Sequence, residues 1–178
     1  MKRKLEDLKK NKKAASFYTD ENNTSKFLFG YIVDYNDDFF IVAMISPDGQ
    51  YDGFVLREIS SIVRINVDGK YENKILELAK HNKIIHEKFT LQDDNFISEF
   101  LRFAEQQEYI VSIELLNSGF YDVQGYIEAI EDDNCNIKQV NEYGEEDGVS
   151  LIKLIDITKI SCNSLDEKVL KVLSTVRK

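Results

Sequence analysis

The sequence has no apolar run long enough to cross a membrane, and its opening residues, Met1-Lys2-Arg3-Lys4-Leu5-Glu6-Asp7-Leu8, lack the apolar stretch of a signal peptide. A cytoplasmic location without membrane association is the expectation. Cysteine is scarce: Cys135 and Cys162 are too few and too far apart for a disulfide scaffold and form no CxxC pair, so two buried thiols are expected. Histidine is as rare. His81 and His86 stand five residues apart, about 140° around a helix, which prevents the shared metal chelation of an i, i+4 pair and assigns them to exposed helix positions. There is no Gly-rich phosphate loop, nucleophile elbow or HExxH. Aspartate and glutamate are plentiful, but catalysis needs two of them held at a defined separation in a partly dry cleft, and scattered acids give no sign of one. The chain is therefore expected not to be an enzyme, with no catalytic residue, no cofactor and no metal.

Positive charge is also short over most of the chain. Lys and Arg number 23 against 32 Asp and Glu, a net charge of -9. Seven of the bases (Lys2, Arg3, Lys4, Lys9, Lys10, Lys12 and Lys13) fall in the first 13 residues, leaving 16 against 30 acids in the rest. Such a body repels polyanions, disfavours RNA and membranes, and prefers a basic protein partner. The nine tyrosines and eleven phenylalanines do not alternate with Lys or Arg along a strand, as a base-stacking surface would require. Core packing accounts for them.

What the chain does have is internal similarity. Slid on itself by 95 positions, it aligns without a gap from Gly30 over Gly125 to Ile65 over Ile160, with 11 of 36 positions identical. Composition alone would give about two or three matches, and turn residues such as Asp37/Asp132, Asp38/Asp133, Gly49/Gly144 and Gly53/Gly148 would have no reason to coincide. The same offset places Asn22 on Asn117 in a turn and Leu5 and Leu8 on Phe100 and Phe103 in a helix. Downstream, deleting one residue aligns Glu72, Lys74, Ile75 and Leu76 with Asp166, Lys168, Val169 and Leu170. A tandem duplication is expected, with copies at 1–88 and 89–178, each a helix, about five strands and a second helix.

In copy two, Asp93 or Asp94 reads as the N-cap of a helix near 95–107 carrying an apolar stripe from Phe96 to Ala104. Strands follow at 111–115, 120–130 (interrupted by Gly125), 135–140, 149–154 and 156–162, and Ser164-Leu165-Asp166-Glu167 is a capping box opening the last helix. Glycine within a strand marks a sharp bend or a close backbone approach. So short a sheet should curl into a small barrel closed by its helix. The expected fold class is thus mainly β with helices (α+β), two tandem five-stranded small barrels flanked by helices. A helical segment from Tyr71 to Gln107 is expected to pack the copies as a pseudo-twofold pair.

Val111-Ser112-Ile113-Glu114-Leu115-Leu116-Asn117-Ser118-Gly119, followed by Gly125-Tyr126-Ile127, resembles the first motif of the Sm-like (Lsm) family of small barrels, and residues 151–160 are spaced like the second. The resemblance covers roughly 65 residues of copy two, extends to copy one through the repeat, and is shared by many SH3-like barrels. It implies uridine-binding pockets built from an arginine-glycine pair and an Asp/Asn loop. Lys153-Leu154 and Glu58-Ile59 stand at the spacing of that pair, so neither copy keeps it. Single-stranded RNA binding through Asn134, Asn136 and Lys153 is the alternative the resemblance leaves, opposed by Glu131, Asp132 and Asp133 alongside.

One asymmetry separates the copies. Residues 39–45 are apolar on both faces, whereas residues 134–140 are polar on one. Phe40 and Val42 should point inward with Cys135 and Ile137. Phe39, Ile41 and Ala43 then form an unexplained apolar face, to be covered by the connecting helix or by another chain. The leading expectation is a non-enzymatic adaptor or regulator that binds another protein, or itself, through a strand edge and this face.

Overall fold

The computed structural model describes residues 1–20, 23 and 25–176, an α+β chain of four helices and ten antiparallel strands. It divides into two compact units, Met1–Thr90 and Leu91–Lys178. No helix among the described residues is long and apolar enough to cross a membrane.

Unit one runs α1 (Lys2–Lys10), β1 (Ala15–Tyr18), β2 (Leu28–Tyr35), β3 (Phe39–Ile45), β4 (Tyr51–Glu58), a 3₁₀ turn at Ile59–Ser61, β5 (Arg64–Asn66) and α2 (Lys70–His81). Its strand order is β5-β1-β2-β3-β4. The two ends of that order are not hydrogen-bonded to each other, so the ladder is open. Leu5 and Leu8, on one side of an otherwise charged α1, meet Phe17, Phe40, Val42, Val55 and Ile62 in one apolar cluster. Phe17 and Phe40 touch with ring centroids 5.5 Å apart. A second cluster joins Phe29 and Ile45 to Ile75 and Ala79 of α2. Neighbouring residues of β2 feed opposite clusters, Phe29 and Tyr31 one and Leu28 and Ile32 the other, as the two-residue period of a strand requires.

Unit two runs α3 (Phe96–Gln106), β6 (Ile110–Leu115), β7 (Val123–Glu131), β8 (Asn134–Val140), β9 (Glu146–Lys153), a 3₁₀ turn at Leu154–Asp156, β10 (Ile157–Cys162) and α4 (Leu165–Val176). The order, β10-β6-β7-β8-β9, repeats that of unit one and is likewise open. α3 lies over β7 and β10, and α4 over β6. Phe100, Leu101, Val111, Ile113, Cys135, Ile137 and Ile160 are fully buried.

Corresponding residues take corresponding places. A Cβ on Gly30 would stand 2.0 Å from the Ala43 carbonyl oxygen, and one on Gly125 would stand 2.1 Å from that of Lys138. Gly49 lies against Leu78 and Ala79, as Gly144 does against Leu173 and Ser174. The backbone N–H of Ile59 donates to Asp38 and that of Leu154 to Asp133.

These contacts correct the alignment at both ends. The second helices match at an offset of 95 with no deletion, so the buried Glu72 answers Glu167. The first helices match at 96, because the turn at Lys12 (φ 48°) with Lys13 N–H donating to Leu8 reappears as Glu108 (φ 52°) with Tyr109 N–H donating to Ala104. Leu5 and Leu8 thus correspond to Leu101 and Ala104, not to Phe100 and Phe103. Asn117 sits in its turn with φ 55°, while Asn22 lies outside the described residues.

Other local expectations shift for identifiable reasons. The N-cap of α3 is Asn95, whose side-chain oxygen accepts the Ser98 N–H at 3.2 Å, rather than Asp93 or Asp94. β7 begins at Val123 because Asp122 accepts from the Leu115 N–H (2.8 Å) and the Ser118 hydroxyl (2.7 Å), holding Phe120 and Tyr121 in an exposed loop. The helix expected from Tyr71 to Gln107 is two helices. Lys83 turns left-handed (φ 52°), which ends α2, and residues 82–95 run non-helically to α3. The capping box forms as expected: Glu167 N–H donates to Ser164 Oγ (3.3 Å) and Ser164 N–H to Glu167 Oε2 (2.8 Å).

Both cysteines are fully buried thiols. Burial, with a smaller contribution from Glu105, pushes the Cys135 thiol up to about 12, which keeps it protonated and unreactive.

Candidate binding face

β8 and β9 pair as Asn134 with Lys153, Asn136 with Leu151 and Lys138 with Val149. Because side chains alternate along a strand, these six residues share one face of unit two, while Cys135, Ile137 and Ile152 turn to its core. Lys138 Nζ bonds Glu146 Oε1 at 2.6 Å, and this hydrogen bond raises the lysine above its ordinary pKa. The apolar members of the face lie open: Val149 is 56% exposed and Leu151 66%, with Ile155 just beyond them at 86%. β9 ends the strand order, with β8 its hydrogen-bonded neighbour. Among the described residues no strand pairs with its other side, which runs beside exposed aliphatic side chains.

The equivalent face of unit one is closed. There Phe39 pairs with Glu58, Ile41 with Leu56 and Ala43 with Phe54. Ile41, Ala43, Phe54 and Leu56 are all buried and Phe39 is half-buried. The chain after α2 supplies part of the cover. Phe89 packs against Phe54 with ring centroids 5.5 Å apart and the rings tilted by 37°, and His86 stands edge-on between Tyr31 (5.9 Å) and Tyr51 (5.2 Å). Ile84 packs against the cluster containing Ile45 and Ala79. Ile41 and Ala43 therefore belong to an inner surface with Phe39 half-buried beside them, whereas Val149 and Leu151 of unit two lie open to solvent.

His81 ends α2 in solvent, as expected, but His86 does not lie on a helix. Its ring nitrogens have no hydrogen-bond partner, and burial among the tyrosines depresses its pKa. Its place could not be read from spacing, because the helix on which that spacing was measured ends at His81.

Asn134, Asn136 and Lys153, separated by up to 19 positions, are brought together by the β8–β9 register. Glu131 pairs across the ladder with Asn134, and Asp132 and Asp133 form the exposed turn between them. Their negative charge therefore lies at one end of this patch. Sequence reasoning did not single out Val149 and Leu151. The available signal was Leu151-Ile152, two adjacent aliphatics in a strand that can send only one of them to the core.

Unit two also contains a cavity of about 640 Å³ beside this face, lined among others by Tyr126, Lys138, Val140, Glu146, Lys171 and Ser174. Tyr126 and Ser174 share a hydrogen bond of 3.1 Å at its edge, and Lys171 Nζ donates to the Glu108 carbonyl at 2.7 Å. No group of three or more His, Cys, Asp or Glu side chains placed to hold a metal occurs among the described residues. No protein-family model, curated protein or solved structure matches the chain.

Proposed function

We propose that this protein is a non-enzymatic binding or adaptor protein, formed by tandem duplication of an Sm-like small-barrel unit, that engages a basic protein partner or a second copy of itself along β9. The recurrence in each unit of helix, four strands, 3₁₀ turn, fifth strand and helix, with the same strand order, supports the duplicated small-barrel reading. The observation that carries the binding reading is the exposure of Val149 and Leu151 on an outer strand whose counterparts in unit one, Phe54 and Leu56, are buried. An incoming strand would pair with the outer side of β9 and cover these side chains, each contributing about 1.5–3 kcal/mol on full burial. Glu145, Glu146 and Asp147 at the start of the strand favour lysine or arginine on the partner.

Leu151→Asp tests this, since an exposed side chain can be changed without loss of the core. The variant is expected to keep the native circular dichroism spectrum and to lose self-association in light scattering or partner capture from the native cell by tenfold or more. A folded variant that assembles and captures like the wild type would remove β9 as the interface.

The co-facial Asn134, Asn136 and Lys153 favour a second reading, an Sm-like module for single-stranded RNA. It calls for binding that weakens steeply with salt. Titration of labelled oligonucleotides at low salt decides it, and no binding at micromolar protein rejects it.

A further inference from the structure

α4 turns one face to the core of unit two and a second, aliphatic face to solvent. Inward it buries Glu167, Leu170 and Ser174, which answer Glu72, Ile75 and Ala79 of α2 at the offset of 95. Outward, Leu165, Val169, Val172 and Val176 stand 43%, 59%, 60% and 78% exposed. At 100° per residue these four fall within about 60° of arc, on the side away from Leu170 and Ser174. The core of unit two makes no use of them. Their counterparts in α2 are Lys70, Lys74, Glu77 and His81, all polar and all exposed. The same face of the same helix is thus a solvated surface in unit one and an aliphatic ridge in unit two. Exposed apolar residues scattered singly are ordinary, but four in line are not. Among the described residues, the only large apolar side chain exposed on any other helix is Tyr71 of α2.

The spacing of the ridge says what fits it. Intervals of four, three and four residues are those of a coiled-coil seam, with Val169 and Val176 at a positions and Leu165 and Val172 at d. So narrow a seam takes one other helix of the same spacing, and α4 of a second copy is such a helix. Run antiparallel, Leu165 faces Val176 and Val169 faces Val172; run parallel, each residue meets its own counterpart. Asp166 and Leu173 border the ridge on one side, Lys168 and Thr175 on the other, so neither direction sets like charges against each other.

Area fixes the strength. The four residues offer about 400 Å² per copy, so a twofold pair buries about 800 Å² between them, short of the about 1,200 Å² at which stable interfaces begin and in the range of transient ones. An isolated helix of twelve residues would also have to form before it could pair. α4 is already held against β6, so that cost is met within the unit.

We propose that the protein forms a weak, exchanging homodimer by packing α4 against α4 of a second copy along Leu165, Val169, Val172 and Val176. This contact does not use β9 and goes beyond the reading above.

Sedimentation equilibrium of the full-length protein tests it. Wild type and Leu151→Asp are expected to show the same monomer–dimer exchange, with a dissociation constant of about 100 µM. Val169→Glu and Val169→Lys, changed at an exposed position and checked for folding by circular dichroism, should each weaken the dimer at least tenfold. Their equimolar mixture should dimerise more tightly than either alone. In the wild type, dilution from millimolar to low micromolar protein should move the amide signals of Val169 and Val172 and leave those of Lys74 and Glu77 in place. The proposal is overturned if the wild type stays monomeric at millimolar concentration, if Val169→Glu dimerises like the wild type, or if the mixture gains nothing over the single variants. Loss of the dimer in Leu151→Asp also overturns it, because the copies would then be joined through β9. An intact dimer with lost partner capture in Leu151→Asp leaves both readings standing, and an intact dimer with unchanged capture removes β9 alone. A monomeric wild type whose Leu151→Asp variant loses capture leaves β9 and removes the α4 pair.

Discussion

Gly125→Ala is expected to destabilise the protein by about 3 kcal/mol, near the top of the usual range for overpacking, and Gly30→Ala by a similar amount. The cause is not backbone conformation, because neither glycine has a positive φ. It is the passing strand. A methyl group on Gly125 would stand 2.1 Å from the Lys138 carbonyl oxygen and 2.8 Å from the Gln139 Cα, and one on Gly30 would stand 2.0 Å from the Ala43 carbonyl oxygen. These are backbone atoms held in the ladder and cannot rotate away, so β7 would have to part from β8, and β2 from β3. Gly148→Ala supplies the comparison. Its Cβ would meet nothing within 4 Å, but φ is 79°, so its cost is the left-handed conformation alone, about 1–2 kcal/mol. Urea midpoints at unchanged m-value measure all three. A Gly125→Ala midpoint no lower than that of Gly148→Ala would show that the strands have room for a side chain here.

That close approach was legible in the sequence because a glycine interrupting an apolar strand has few other uses. The direction of Phe40 and Val42 was legible for a related reason: the two-residue period is rigid, and both join Leu5, Leu8 and Phe17 in the core. What lay outside local pattern was missed. The apolar second face of β3 could be seen, but not that residues 84–89 return along the sheet to His86 and Phe89 contacts, since Ile84-Ile85-His86-Glu87-Lys88-Phe89 has neither strand nor helix period. The helix end that makes this return possible depends on Lys83 in a left-handed conformation, which a lysine does not announce. The one-residue shifts between units were hidden because a charged surface helix such as α1 has only Leu5 and Leu8 to fix its register. Val149 and Leu151 were passed over because a strand's aliphatics are assigned inward by default, and only the β8–β9 register shows which side each one takes.

Glu167 shows how much a capping residue can carry when it is also buried. Its carboxylate accepts from the Ser161 hydroxyl and, at 2.8 Å, from the Ser164 N–H, while its own N–H donates to Ser164 Oγ at 3.3 Å. Glu167→Ala would empty a buried site and leave the Ser161 hydroxyl and an N–H at the start of α4 without their acceptor, a loss of about 3 kcal/mol. Glu72→Ala in unit one removes the acceptor of the Ser16 hydroxyl, which donates to Oε1 at 2.6 Å, and should cost about half as much. The pH dependence gives a second reading of the same site. Burial raises the Glu167 pKa, and the hydrogen bonds from Ser161 and Ser164 oppose that rise without cancelling it. The folded protein therefore holds this proton to higher pH than the unfolded chain does. The associated stability is fully present below the unfolded pKa, near 4.5, and is lost as pH rises through the folded value. Glu167→Gln cannot titrate. Its urea midpoint relative to the wild type should therefore climb as pH rises from 4 through the folded pKa and level off above it. A difference that stays flat, or falls, across that interval would mean that the carboxylate is as well solvated in the folded protein as in the unfolded chain.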